Sequence, residues 1–315
     1  MNGILKIDRD FIDHFPSTLK VIATSSNGYD HYDIDYLTKK GIIFCNTPSL
    51  AADQVADLAL YSTISAFRFT SIVENNFRTS LNAAGNAFLS RKELESDSFD
   101  NETGMPVLKP NLASTPPFFS LGDYIGGKRV YSLENRIAGI VGLGAIGKFL
   151  AYKLNLVGMK IHYTKTTELT KEEHLNFHFP LTYHQSFEDI AKVSDILIFC
   201  LPLTKETKHL LRKETIGLCK DGVKIVNISR GQIINENDLV EALENGKISY
   251  AALDVFENEP NIHPKLLKRW DCTITPHIGS STVENLQLSA HCCQNNICDI
   301  LLKNGPGITN INKLA

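Results

Sequence analysis

The chain has 315 residues, about twice the ~100–200 of a typical domain, which predicts two domains or one large one. Hydrophobic residues make up 43% and charged residues 21%, so the chain can bury a sizeable core and is not disordered as a whole. Its 32 basic and 35 acidic side chains leave a net charge of -3, which gives no sign of binding to nucleic acid or to an anionic membrane.

The cysteines and the N-terminus favour a cytoplasmic protein. The seven cysteines are odd in number and form no C-x-x-C pair, so they indicate neither a disulfide framework nor a zinc ribbon. Residues 1–10 contain acidic side chains where a secretory signal needs apolar ones, and no run of about 18 apolar residues occurs. The histidines lack the spacing of a metal-binding motif, so no metal is expected.

Two β-α units are predicted near the start of the chain. Apolar residues 19–23 read as a strand that ends in the polar segment 24–28, and residues 41–46 read as a second strand. Apolar side chains then recur at helical spacing over 49–67.

A polar arm is predicted at 74–126, where Asn, Ser, Asp, Gly and Pro accumulate. It is expected to hold one short helix near 90–95 and otherwise no regular structure. Because a structureless stretch of this length is uncommon within a domain, the arm should pack on another subunit or be disordered.

The second half of the chain alternates strands with helices. Strands are predicted at 137–141, 160–163, 195–201, 224–228, 250–253 and 272–275. Helices fall between them, at positions that include 145–157, 186–193 and 236–244, and a last helix covers 282–302. This alternation predicts a mainly parallel sheet with helices on both faces.

A glycine-rich turn joins the first of these strands to its helix. Residues 142–147 match G-x-G-x-x-G, through Gly142, Gly144 and Gly147, with Ala145 and Ile146 opening the helix. Such a turn places the free N–H groups and the positive dipole end of the helix against a pyrophosphate. A motif in this position between strand and helix predicts a dinucleotide-binding (Rossmann) domain.

The end of the next strand bears on which dinucleotide is bound. In proteins that select NAD, an Asp or Glu at this position accepts hydrogen bonds from the adenine-ribose hydroxyls. This chain has Thr164, Lys165 and Thr166 there instead. A lysine and two hydroxyls can bind a 2′-phosphate, so NADP(H) is predicted to be preferred, with NAD(H) as the other choice. The alternative is a solvated Lys165, with Glu168 serving the ribose.

Three polar side chains follow the ends of three later strands, where open parallel sheets bind ligands. They are Arg230, Glu259 and His277. Arg230 can hold a substrate carboxylate or carbonyl with paired donors. His277 can protonate an alkoxide, and Glu259 can hold the ring and raise its pKa. Beside a nicotinamide, these groups meet the needs of 2-oxo acid reduction.

These motifs, together with the segments 200–207 and 254–260, resemble the D-isomer-specific 2-hydroxyacid dehydrogenase family, and within it the glyoxylate and hydroxypyruvate reductase branch. The resemblance covers roughly 21–305 except the arm. It implies that Arg230, Glu259 and His277 are catalytic, and that a product with a stereocentre has the D configuration. It also implies a substrate site that includes backbone N–H groups at Asn27 and Gly28. Further cofactor contacts implied by the resemblance are Asp254, Pro202, Thr207, Ile228 and Gly279.

The expected fold is α/β, with a doubly wound parallel-sheet (Rossmann) cofactor domain at 127–281. Residues 1–126 and 282–315 are expected to form a smaller flavodoxin-like α/β substrate domain. Family members usually carry further β-α units ahead of the segment equivalent to 19–28, so this domain is predicted to be truncated. An incomplete sheet of this kind leaves a strand edge uncovered and bears on the geometry of the substrate site.

The function predicted first is NAD(P)H-dependent reduction of small 2-oxo acids by a homodimer. Two alternatives stay open. One is a dinucleotide-sensing interaction protein, like the transcriptional corepressors that share this fold. The other is a family member that binds the cofactor but is catalytically impaired by its short first domain. Turnover distinguishes the enzyme from both.

Overall fold

The computed structural model of the chain describes residues 6–80, 86–100, 102–107 and 120–313. Its helices are α1 (Arg9–Ile12), α2 (Ile34–Lys39), α3 (Ala52–Arg68), α4 (Thr70–Thr79), α5 (Ala87–Leu94), α6 (Ala145–Leu156), α7 (Lys171–Leu175), α8 (Phe187–Val193), α9 (Lys213–Leu218), α10 (Glu236–Glu244), α11 (Pro264–Leu267) and α12 (Val283–Lys303). Its strands are β1 (Val21–Ala23), β2 (Ile43–Cys45), β3 (Tyr124–Ile125), β4 (Lys128–Arg129), β5 (Ile137–Val141), β6 (Lys160–Thr164), β7 (Leu181–His184), β8 (Ile196–Phe199), β9 (Val223–Asn227), β10 (Ile248–Leu253) and β11 (Cys272–Ile274).

The chain divides into two compact units. Unit 1 is Met1–Val55 with Gly279–Ala315, and unit 2 is Ala56–Ile278. The sequence assigns residues 56–126 to the substrate domain, whereas the described part of this range groups with the large sheet of unit 2. The division by function, with the cofactor held by 127–281, stays a prediction.

Unit 1 contains both strands of the two β-α units expected near the start of the chain, whereas α3, the helix after the second strand, lies mostly in unit 2. Strands β1 and β2 pair in parallel, with Val21 opposite Ile43. A small core beside them includes Leu37 and Phe44, both fully buried, and α12 packs against β1. Over the described stretches of the chain, no helix is both long and apolar enough to cross a membrane.

Unit 2 is built on a seven-stranded parallel sheet in the order β11-β10-β9-β8-β5-β6-β7. From β5 the chain runs outward to β6 and β7, then returns to β8 and continues to the other edge. This is the predicted doubly wound topology, with its switch point between β5 and β8. All residues of β8 and β9 are buried, because helices cover both faces. Strand β7 was not predicted, since it is a half-exposed edge strand with little apolar character.

The short helix predicted near 90–95 in the arm at 74–126 is present as α5, but the expectation of no other regular structure there is wrong, because α4 extends to Thr79 and β3 covers Tyr124–Ile125. Helix α4 was missed because a polar side chain occupies one of its core positions. Asn76 is 1% exposed and donates hydrogen bonds to Ser90 and to Glu93 on α5, so the two helices pack through amide and carboxylate groups. The parts of the predicted arm at 81–85, 101 and 108–119 lie outside the described residues.

Part of the arm packs on its own unit. The ring of Phe99 stacks on Trp270 with the ring centres 4.2 Å apart, and Phe69, at the start of α4, stacks on the same indole. Ser65 on α3 bonds to Thr273 on β11, with the two hydroxyl oxygens 2.8 Å apart. These contacts explain why the described part of residues 56–126 groups with the large sheet.

Candidate active site

The glycine turn between β5 and α6 has the tight geometry that the motif predicts. Gly142 adopts a φ of 98°, and a Cβ at this position would lie 2.8 Å from the carbonyl oxygen of Cys200. A Cβ on Gly147 would lie 2.4 Å from the carbonyl oxygen of Gly142. Neither position tolerates a side chain, and this lets α6 begin directly against the end of β5.

The N-terminus of α6 fits the pyrophosphate of a dinucleotide. Gly144 is the N-cap residue and makes no side-chain cap. A Cβ added to Gly144 would meet no atom within 4 Å, so the space in front of the helix is open. The first-turn N–H groups, which include those of Ala145 and Ile146, therefore provide donors and a positive dipole end for an anion.

The segment 164–166 lies at the same edge of the sheet as the glycine turn. Thr164 pairs with Val141 in the sheet register, and its carbonyl accepts a hydrogen bond from Gly142 N–H at 2.9 Å. Thr164 is 8% exposed, Lys165 is half-buried and Thr166 is exposed. The lysine therefore lies one strand away from the glycine turn, and its contact with a cofactor stays a prediction.

The loop that carries Arg230 is held by a buried amide. Asn227 ends β9 and is 1% exposed. Its Oδ1 accepts hydrogen bonds from the N–H and the hydroxyl of Ser229, and its Nδ2 donates to the carbonyl of Arg230 at 2.9 Å. Ile228, predicted to line the cofactor cleft, is 6% exposed in the same loop. The arginine therefore projects from a fixed turn at the carboxyl edge of the sheet.

His277 and Glu259 come together directly. The Nδ1 atom of His277 lies 3.0 Å from Oε2 of Glu259. The other carboxylate oxygen of Glu259 accepts the N–H of Phe256 at 2.9 Å. His277 has a φ of 55°, an uncommon conformation for a residue with a side chain that often occurs at functional sites.

The pKa values of this pair move in opposite directions. The hydrogen bond that His277 donates to Glu259 raises the pKa of the imidazole above its ordinary value, against the opposing effect of burial. Burial would raise the pKa of Glu259, but the His277 hydrogen bond, the Phe256 N–H and the charge of Arg230 lower it overall. His277 thus retains a proton to higher pH while Glu259 stays ionised, a pairing suited to a general acid.

Asp254 ties the loops that follow β10 and β11. It is 3% exposed, and its Oδ1 accepts a hydrogen bond from the hydroxyl of Thr275 at 2.7 Å and from the N–H of Ile278 at 2.8 Å. These bonds hold both sides of His277. Sequence reasoning assigned no role to Thr275, although its place in the motif 275–279 was the signal available.

Pro202 and Thr207 lie in the loop after β8. The hydroxyl of Thr207 donates to the carbonyl of Pro202 at 2.8 Å and accepts the N–H of Thr204 at 2.7 Å. The loop is therefore closed by its own side chains. Its predicted contact with the cofactor stays a prediction.

The predicted substrate residues Asn27 and Gly28 lie in unit 1, in the loop that follows β1. Asn46 donates to the carbonyl of Asn27 at 2.8 Å, and the side-chain oxygen of Asn27 accepts the N–H of Ser49 at 3.2 Å. The hydroxyl of Ser26 donates to the carbonyl of Gly28 at 2.8 Å. These bonds hold the loop in a defined shape within unit 1. Gly279, a predicted cofactor contact, is the first residue of the second segment of unit 1.

Sequence reasoning missed one group of residues near Glu259. Glu236 and Glu257 bond to each other through their side chains and backbone N–H groups, and His209 bonds to Glu257.

Within the part of the chain that the structure describes, no group of three or more His, Cys, Asp or Glu is arranged to hold a metal ion.

Comparison with known proteins identifies the family. Residues 123–279 match the family model described as "D-isomer specific 2-hydroxyacid dehydrogenase, NAD binding domain". A glyoxylate reductase from Thermococcus litoralis is 33% identical over 280 residues, which cover 89% of this chain and 72% of that enzyme.

Two solved structures are similar to this chain over nearly all of its length. The holo form of D-mandelate dehydrogenase from Rhodotorula graminis has a TM-score of 0.81 and is 30% identical, covering 99% of this chain and 80% of that one. An NADPH-dependent glyoxylate/hydroxypyruvate reductase from Sinorhizobium meliloti, in complex with NADP and malonate, has a TM-score of 0.75 and is 25% identical. That likeness covers 98% of this chain and 82% of the reductase.

The fold and the matched domain define an oxidoreductase with a nicotinamide-dinucleotide-binding domain. The chain belongs to the D-isomer-specific 2-hydroxyacid dehydrogenase family. The predicted fold class and the predicted family are both confirmed.

Proposed function

We propose that the protein is an NADPH-dependent reductase of small 2-oxo acids of the glyoxylate and hydroxypyruvate type. One observation carries the proposal, namely the 3.0 Å hydrogen bond between His277 and Glu259 at the carboxyl edge of the sheet. It raises the pKa of His277 above its ordinary value and so favours the protonated imidazole that a general acid needs. The relatives named as glyoxylate reductases support the choice of substrate class.

In this proposal each catalytic side chain has one task. Arg230 holds the carboxylate of the 2-oxo acid with its paired N–H donors. A bound reduced nicotinamide supplies the hydride that the carbonyl carbon accepts. His277 donates its proton to the oxygen that becomes the alcohol, and Glu259 keeps the imidazolium oriented and charged until that transfer.

We assign the cofactor to residues 127–281. The glycines at 142, 144 and 147 form the turn, and the first-turn N–H groups of Ala145 and Ile146 hold the pyrophosphate. Lys165, between the hydroxyls of Thr164 and Thr166, binds the 2′-phosphate that distinguishes NADPH. The NADP complex of the Sinorhizobium meliloti reductase supports this choice for a related chain.

The remaining assignments follow the family resemblance. Asp254, Pro202, Thr207, Ile228 and Gly279 would serve the rest of the cofactor. Asn27 and Gly28 would offer backbone N–H groups to the substrate carboxylate, with unit 1 as the substrate domain.

We also infer a homodimer. Three side chains on or near the arm leave apolar surface exposed, at Phe77 (43%), Phe88 (51%) and Leu121 (74%). A second copy that covers such a surface would remove it from water. Light scattering on the purified chain tests this inference, and a monomer at micromolar concentration would contradict it.

Oxidation of NADPH with a panel of 2-oxo acids tests the activity. Because a fold relative is a mandelate dehydrogenase, the panel should hold phenylglyoxylate beside glyoxylate and hydroxypyruvate. Turnover with the small acids supports the proposal. Binding of NADPH without turnover of any acid would favour a dinucleotide-sensing or impaired protein instead.

A further inference from the structure

Two consecutive backbone N–H groups in the loop after β10 each donate a hydrogen bond to a carboxylate. The N–H of Phe256 donates to Oε1 of Glu259 at 2.9 Å. The next N–H, that of Glu257, donates to Oε1 of Glu236 at 2.8 Å. One carboxylate belongs to the proposed active site, and the other is the first residue of α10. The position of this short backbone segment therefore depends on both carboxylates.

Glu236 and Glu257 form a clasp, in which the backbone N–H of each residue donates a hydrogen bond to the carboxylate of the other. In return for the Glu257 N–H, the backbone N–H of Glu236 donates to Oε2 of Glu257 at 3.2 Å. The remaining oxygen of Glu257 lies 2.7 Å from Nε2 of His209. Glu236 is 4% exposed, so its carboxylate has little contact with water and is held by the protein. A buried carboxylate fixed in this way defines the loop position closely.

The same backbone segment also borders the arginine loop. A Cβ on Gly231 would lie 1.8 Å from the carbonyl carbon of Phe256 and 2.0 Å from its oxygen. Gly231 directly follows Arg230, so the two loops pack backbone against backbone. A shift of the Phe256–Glu257 segment would therefore disturb both Glu259 and the turn that presents Arg230.

We propose that Glu236 is a positioning residue for the reaction: by holding the N–H of Glu257, it places Glu259 against the imidazole of His277. This inference rests on the proposed function. Glu236 has no direct contact with His277 and acts through the loop. The effect requires the reach of its side chain and an acceptor oxygen, and it does not require a negative charge.

Charged side chains face Glu236, Glu257 and His277. Glu236 faces Glu257 and Glu259; burial, followed by these two carboxylates, raises its pKa, while the Glu257 N–H lowers it. Glu257 faces His209. His277 faces Glu259, Asp254 and Arg230. Because Glu236 adds negative charge near Glu259, its test must separate charge from position.

Two substitutions make that separation. Glu236→Asp keeps the charge but withdraws the acceptor by one methylene, whereas Glu236→Gln keeps the reach and an acceptor oxygen but removes the charge. Glu241→Ala is the matched control, since Glu241 lies on the exposed side of the same helix and pairs with Lys213 at the surface. Thermal unfolding of each variant confirms that it is folded at the assay temperature.

Two readouts are needed. One is kcat and KM at saturating NADPH. The other is the pKa of His277, followed in the cofactor-free protein through its imidazole NMR signal, which is assigned by its loss in His277→Asn. We expect Glu236→Asp to lower kcat about 10-fold or more, with a smaller change in KM, and to lower the pKa of His277. Glu236→Gln and Glu241→Ala should stay close to the wild type in both readouts.

A larger effect of Gln than of Asp would overturn the inference in favour of charge. Equal effects of the two variants would also overturn it, because the reach of the side chain would then not set the activity. Unchanged kcat and unchanged His277 titration in Glu236→Asp would also overturn it and leave Glu236 with a purely structural role. If the wild type reduces no 2-oxo acid but Glu236→Asp still moves the His277 titration, the proposed function fails while the positioning inference stands.

Discussion

The imidazole of His277 and the carboxylate of Glu259, 18 residues apart in the chain, meet through a hydrogen bond of 3.0 Å. The bond raises the pKa of the histidine and helps to lower that of the glutamate, whose burial acts in the opposite direction. The two residues come from loops after neighbouring parallel strands, β10 and β11. The two residues meet because the carboxyl ends of these parallel strands lie at the same edge of the sheet.

Replacing Glu259 by Gln should shift the pH dependence of the reduction. The proposed reaction needs protonated His277, so the rate falls as pH rises through the raised pKa of the imidazole. Without the carboxylate, that pKa moves down and the fall should begin at lower pH. A profile of kcat/KM against pH measures this. An unchanged descending limb would show that Glu259 does not set the proton affinity of His277.

Replacing Lys165 by Ala should weaken the use of NADPH. A charge-assisted hydrogen bond contributes about 1.5–3 kcal/mol, so the KM for NADPH should rise roughly 10- to 100-fold, while the KM for NADH stays within about twofold. Lys171→Ala, at an exposed position on α7, is the matched control. A clear NADH preference in the wild type would contradict the assignment.

Replacing Lys224 by Met should stabilise the protein at neutral pH. This lysine is 4% exposed beside Phe67 and Phe69, and its ammonium donates to Ser249 at 2.8 Å. Burial lowers its pKa from 10.5 to about 8, so below pH 8 the folded state bears the full cost of a buried charge, on the order of 3 kcal/mol. We expect the free energy of unfolding to rise by about 1–3 kcal/mol at pH 7, since the hydrogen bond is also lost.

The pH dependence of that gain follows from the same shift. As pH rises from 8 towards 10.5, the folded state releases the Lys224 proton before the unfolded chain does, so the cost of burial declines. Urea unfolding of wild type and Lys224→Met should therefore differ less at high pH than at pH 7. Lys213→Met, whose side chain is 68% exposed, should change little at either pH. A destabilised Lys224→Met at pH 7 would refute the prediction.

Most of the large sheet, and the polar residues at the ends of its strands, can be predicted from the sequence because the patterns that indicate them are local. The apolar strands, the glycine turn and the polar residues after each strand lie in short windows, and parallel topology then fixes which edge they share. His277, Glu259 and the Asn227 turn could be placed in this way. Their distances could not, because these depend on side-chain geometry between loops.

What sequence reasoning missed depends on polar groups in buried positions. Helix α4 has Asn76 facing the core, so its pattern lacks the apolar spacing that indicates a helix. The clasp of Glu236 with Glu257 joins residues 21 apart through backbone N–H groups, which no residue pattern reveals. The packing of residues 56–126 with unit 2 depends on contacts such as Phe99 with Trp270, between segments distant in the chain.

The proposed reduction of 2-oxo acids depends on His277 as the acid. The most direct test compares NADPH oxidation by the wild type and by His277→Asn with glyoxylate and hydroxypyruvate, beside a fluorescence titration of NADPH binding. Asn is chosen because it tolerates the positive φ at this position. We expect the wild type to turn over, and the variant to lose about 10²- to 10⁴-fold in kcat while it binds NADPH normally. Turnover by His277→Asn within tenfold of the wild type, or a wild type that binds NADPH but reduces neither acid, would contradict this role of His277.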